Sequence, residues 1–138
     1  MKPWLIDTGP LVAYLDARDS QHAIVTACLD GFTGKLHTTA AVVTEAMHLV
    51  GSDPDGPELL ADFLESSQAE IHECTKLFIL KRATALMRKY RDTPMDFADA
   101  TLIGLAEELR TTDICTLDRR GFAIYRTSTG KRFHLVLG

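Results

Sequence analysis

Short apolar runs alternate along this chain with longer stretches in which hydrophobic residues return every three or four positions. That alternation predicts strands interleaved with helices. Pro3–Ile6 reads as a first strand leading into a helix that begins near Gly9, and a second helix covers about His22–Leu29 after Asp19-Ser20. Lys35–Thr38 reads as a strand, Thr39–Val50 as a helix closed by Gly51, and residues 52–57 as a loop rich in Asp, Pro and Gly. A helix follows over about Glu58–Ser66, where Leu59, Leu60, Phe63 and Leu64 keep helical spacing. Glu70–His72 is a short strand, followed by helices over about Lys76–Tyr90 and Pro94–Leu109 and a strand over Asp113–Leu117. Ala123–Arg126 and Phe133–Leu137 read as a closing hairpin around Ser128-Thr129-Gly130. The order predicts an α/β fold in one domain over residues 1–138, without internal repeats.

Composition narrows the setting. With 46% hydrophobic residues, 138 residues suffice to bury one core. The three cysteines, Cys28, Cys74 and Cys115, are odd in number, far apart and set in apolar segments. They read as reduced core residues of a cytosolic protein, neither a disulfide framework nor a zinc motif. Strand-like sequence begins almost at once, and no apolar run approaches the roughly 18 residues of a membrane span. A soluble, cytoplasmic, unprocessed chain with no membrane partner is the expectation.

Four acids change this picture. Asp7 directly follows Trp4-Leu5-Ile6, and Asp118 directly follows Ile114-Cys115-Thr116-Leu117. In an open parallel sheet, ligands bind beyond the carboxyl ends of the strands, so both aspartates face one crevice. Glu45 flanks the apolar face Val42, Val43, Ala46, Leu49 and Val50, too late in its helix to be a cap. Asp99 lies beside the stripe Ala98, Leu102, Leu105 and Leu109, and the same reasoning sets it beyond the reach of capping. Asp96 fits the helix-start pattern Thr93-Pro94-Met95-Asp96, yet its spacing from Asp99 lets both carboxylates look toward one site. Cap and metal ligand remain open for Asp96.

Convergence of such acids has a physical consequence. Two charges about 5 Å apart at an effective dielectric near 20 repel by roughly 3 kcal/mol. A divalent cation relieves that repulsion, and oxygen-only ligands favour a hard ion, Mg²⁺ or else Mn²⁺. An ion so placed activates water and polarises a phosphoryl oxygen, which suits phosphodiester hydrolysis. The formal charge of −4 argues against a polyanionic partner, but without the four acids the charges balance at 15 against 15. Arg119, Arg120, Arg126, Lys131 and Arg132 also fall in a C-terminal stretch that contains no acid. Arg119 and Arg120, next to Asp118, are the candidate contacts for such a partner. Arg88, Lys89 and Arg91 fit better as complements to a helix dipole. Of the histidines, His48 stands one turn from Glu45, whereas His22, His37, His72 and His134 show no ligand spacing.

Four blocks carry a family likeness: Leu5-Ile6-Asp7-Thr8-Gly9-Pro10-Leu11, Thr38-Thr39-Ala40-Ala41-Val42-Val43-Thr44-Glu45, Pro94-Met95-Asp96-Phe97-Ala98-Asp99-Ala100 and Thr116-Leu117-Asp118-Arg119-Arg120-Gly121-Phe122. In this order and spacing they resemble a PIN domain, more narrowly the VapC-like ribonuclease toxins of toxin–antitoxin pairs. The resemblance implies a three-layer sandwich with a central, mostly parallel sheet flanked by helices. It implies a metal-dependent endoribonuclease that uses Asp7, Glu45 and Asp99 as ligands, with Asp118 completing the pocket. Thr8 and Thr116 would orient water or phosphate. It further implies an RNA substrate, a cognate antitoxin and a homodimer. Some relatives carry another acid where this chain has Gly121. The alternative reading is a catalytically inactive PIN-like module that binds RNA or a partner protein.

Overall fold

A computed structural model describes all 138 residues. Five strands, β1 (Pro3–Ile6), β2 (Lys35–Thr39), β3 (Glu70–His72), β4 (Asp113–Cys115) and β5 (His134–Leu135), form one sheet in the order β3-β2-β1-β4-β5. Every pairing in it is parallel. Seven helices flank the sheet: α1 (Thr8–Leu15), α2 (His22–Asp30), α3 (Ala40–Val50), α4 (Gly56–Ser66), α5 (Leu77–Lys89), α6 (Phe97–Leu109) and α7 (Arg119–Ile124). None is long and apolar enough to cross a membrane.

The central strand β1 is where sequence and packing agree most closely. Leu5 and Ile6 are fully buried, between β2 on one side and β4 on the other. Helix α6 is buried almost all round, with Leu102 and Ile103 fully enclosed, and it packs on α5, α3, β2 and β1. Such enclosure accounts for its run of small residues, Ala98, Ala100, Gly104 and Ala106, which let neighbouring elements approach. At the other extreme, α5 fully buries only Ala83, leaning on the core with Leu86 and Met87 and exposing Leu77 and Phe78 at its start.

Two expectations are corrected. The closing hairpin does not form: residues 119–124 are helical, and β5 lies parallel to β4. Only an isolated antiparallel bridge, Arg126 to Arg132, survives of the hairpin. The helical reading wins because Phe122 and Tyr125, three apart, are both fully buried, and the Asp118 carboxylate accepts from the Gly121 N–H to start the turn. Arg126 then stops α7 by donating to the carbonyls of Ala123, Ile124 and Tyr125. The second correction concerns α6, which starts at Phe97 and not Pro94. Asp96 is the N-cap, and Asp99 is its partner in a reciprocal capping box, so capping does account for part of what Asp99 does.

Candidate active site

Each acid is delivered to the C-terminal edge of the sheet by a local device. Asp7 ends β1 and caps α1, accepting from the Thr8 N–H at 2.8 Å. Its second oxygen accepts from the Thr116 hydroxyl at 2.8 Å, and Thr116 Oγ1 in turn accepts from the Asp118 N–H at 3.0 Å. One short relay thus ties the ends of β1 and β4 together. Asp118 caps α7 through its bond to Gly121 N, 3.0 Å long. Thr39 caps α3, which places the half-buried Glu45 in the second turn. At the start of α6, Asp96 accepts from Asp99 N at 2.8 Å, and Asp99 accepts from Asp96 N at 3.2 Å.

The carboxylates are near enough to perturb one another. Burial pushes Asp7 up from the usual aspartate range to about 6, against the pull of Thr116 and Thr8, and Asp96 and Glu45 add to the rise. Asp99 is pushed to about 8, first by burial, then by the charges of Asp96 and Asp7. The Tyr125 hydroxyl beneath them is also raised, by burial first and then by Asp99, Asp118, Asp96 and Asp7. All five expected acids therefore share one electrostatic neighbourhood. Asp7 and Asp99 are buried, Glu45 and Asp118 half-buried and Asp96 exposed, and no three of their carboxylates bring oxygens within 4.8 Å of one another.

No basic side chain balances this charge: none of the seven ion pairs of the molecule involves Asp7, Glu45, Asp96, Asp99 or Asp118. The buried Thr8 hydroxyl beside Asp7 has no hydrogen-bond partner, an anomaly for an enclosed polar group unless something else engages it. Carboxylate oxygens, a free hydroxyl and missing counter-charge together fit a hard divalent cation. His48 is exposed on α3, and Arg119 and Arg120 are exposed in the first turn of α7.

Three features escaped the sequence. The Tyr125 hydroxyl donates to the Pro94 carbonyl at 2.5 Å, which braces the entry to α6 from below. Gly121 leaves room for the Asp118 carboxylate, since a Cβ there would stand 2.4 Å from Asp118 Oδ2 and 3.0 Å from the Tyr125 ring, and the carboxylate would have to move. The third feature lies outside the pocket: His37 and His72, expected to show no ligand spacing, join Glu70 in the one group of three whose donor atoms all lie within 4.8 Å of each other.

Comparison with known proteins decides the family. Ribonuclease VapC26 of Mycobacterium tuberculosis is 35% identical over 134 residues, which span 96% of this chain and 98% of that protein. The chain belongs to the VapC ribonuclease family. No family model matches it. The fold agrees with solved VapC-type structures. The M. tuberculosis toxin VapC20, described as cleaving the sarcin-ricin loop, superposes with a TM-score of 0.75 at 16% identity, over 86% of this chain and 91% of that one. A toxin–antitoxin complex from Klebsiella pneumoniae gives 0.65 at 21% identity, over 88% and 91%. The five-stranded parallel sheet flanked by helices is thus the VapC fold.

Proposed function

We propose that this VapC protein is a metal-dependent endoribonuclease that hydrolyses RNA phosphodiester bonds as the toxin of a toxin–antitoxin pair. The observation that carries the reading is the uncompensated pocket of five acids at the sheet edge of a chain 35% identical to a ribonuclease. Asp7, Glu45 and Asp99 are the ligands we assign to Mg²⁺, or to Mn²⁺ in its place, with Asp118 and Asp96 at the outer side. A divalent cation there supplies charge to polarise a phosphoryl oxygen and acidify a water molecule.

The rest of the chemistry belongs to the chain. Thr116 and the Thr8 N–H fix the Asp7 carboxylate with one bond to each oxygen, so its remaining lone pairs point in a set direction. The capping box holds one oxygen of Asp99, which accepts from the Asp96 N–H, and leaves the other free, while Asp96 stays accessible to water. The partnerless Thr8 hydroxyl is available to orient the attacking water or a phosphate oxygen. Arg119 and Arg120, exposed one and two residues beyond Asp118, are the side chains we assign to the phosphate backbone. Because Asp7 and Asp99 must ionise to hold a cation, uptake of the ion by the metal-free protein, and cleavage at limiting metal with it, is expected to rise with pH between about 6 and 8.

The same reading includes a cognate antitoxin, a cytoplasmic location and a homodimer. Leu77 and Phe78, 68% and 71% exposed at the start of α5, offer apolar surface for a second copy. The direct test is expression of wild type and of Asp99→Asn, with growth and total RNA followed together. The reading predicts arrest and RNA fragments with wild type and neither with the variant. Fragments from a folded Asp99→Asn protein would overturn it.

A further inference from the structure

Beta strands place side chains alternately on two faces, so Glu70 and His72 share one face of β3 while Ile71 takes the other. Strand β2 runs parallel beside it, in a register that sets His37 next to Glu70 and Thr39 next to His72. His37 therefore reaches the same face between the two β3 side chains. Its Nδ1 lies 2.9 Å from His72 Nε2, and the Glu70 carboxylate comes within 3.8 Å of each ring nitrogen. For a tetrahedral zinc ion with bonds of 2.0–2.1 Å, neighbouring ligand atoms stand about 3.3 Å apart. The observed separations bracket that value.

We infer that His37, Glu70 and His72 form a second metal site, on the β2–β3 edge of the sheet, for a borderline cation of the Zn²⁺ type. The site is independent of the ribonuclease reading. Its donors separate it chemically from the acid pocket: two imidazoles and one carboxylate suit Zn²⁺, whereas a pocket of carboxylates suits Mg²⁺ or Mn²⁺. His37 is 8% exposed, and burial followed by the neighbouring His72 holds its imidazole neutral at physiological pH, as a ligand must be. Lys35, 3.8 Å from Glu70, is the competing partner of the carboxylate, and its half-exposed side chain is free to turn into solvent. Three protein ligands leave a fourth position for water. A bound ion pins a three-residue edge strand, whose only sheet neighbour is β2, to the body of the sheet.

The test uses metal-stripped full-length protein and Co²⁺ as a spectroscopic probe, displaced afterwards by Zn²⁺. Tetrahedral Co²⁺ absorbs strongly in the visible, and octahedral Co²⁺ on oxygen ligands only faintly. The wild type is expected to show one strongly absorbing equivalent that Zn²⁺ displaces, and Asp7→Asn to retain it. In His72→Gln the band disappears and zinc affinity falls about 100-fold; in the exposed Glu70→Gln it falls about 10-fold. Circular dichroism verifies that both variants fold, and Glu70→Gln carries the test if His72→Gln does not. Absence of the band in wild type, its persistence in both site variants, or its loss in Asp7→Asn would each overturn the inference.

Discussion

The acid pocket and the histidine cluster lie in one sheet and are built in opposite ways. The pocket gathers five carboxylates, most of them helix caps, from the junctions where β1 and β4 turn into helices, from the second turn of α3 and from the start of α6, and no basic group answers them. The cluster draws its residues from edge strand β3 and its neighbour β2, and its one carboxylate already has a lysine within 3.8 Å. Without a cation, the cluster is close to electrically content and the pocket is not. A fold tolerates such a pocket only where the charge is put to use, because uncompensated buried carboxylates reduce stability. The cluster carries no such demand, and its role rests on donor geometry alone.

That contrast breaks most visibly through catalysis. Asn in place of Asp7 or Asp99 keeps the shape and the hydrogen-bond acceptor but removes charge. RNA cleavage should fall by at least about 100-fold in either variant, read as initial rates on total RNA, with unchanged circular dichroism. A smaller loss, about 10-fold, is expected for Gly121→Ala, because the added methyl group displaces the Asp118 carboxylate from its cap.

Stability sharpens the same contrast. Asp7 and Asp99 have folded-state values raised above those of the unfolded chain, so their contribution is fully present below about pH 4 and is lost as pH rises toward 8. In metal-free buffer, Asp99→Asn should therefore become more stable than wild type as pH rises, by about 1–2 kcal/mol near pH 8, and Mg²⁺ should erase the difference. Thermal denaturation over a pH series measures it. The smallest effect belongs to Thr116→Val. Loss of the hydroxyl that lowers Asp7 should move the acidic limb of the cleavage profile upward by less than about one pH unit, and an unmoved limb would remove Asp7 from the ionisation that limits cleavage.

The two clusters also differ in how far the sequence reveals them. Asp7 and Asp118 were legible because each follows an apolar run that ends at the same edge of a parallel sheet, and Glu45 because it flanks a clear helical stripe. Asp99 was legible as a pocket acid, but its capping role was hidden by Pro94, which imitates a first helical residue three positions early. His37, Glu70 and His72 were invisible because their grouping depends on the register between β2 and β3, a relation spanning some 35 residues that local spacing does not encode. The missing hairpin has a similar origin. Ala123–Arg126 is apolar enough to pass for a short strand, and only the burial of both Phe122 and Tyr125 against the rest of the fold selects the helix. Tyr125, which props the start of α6, was unreadable for the same reason.

The central claim is that the acid pocket works by holding a divalent ion. Chelator-stripped protein incubated with total RNA, with Mg²⁺ or Mn²⁺ added back singly, tests it most directly. The account predicts no cleavage without metal, recovery with one or both ions, and no recovery in Asp7→Asn. Undiminished cleavage in excess EDTA would contradict it.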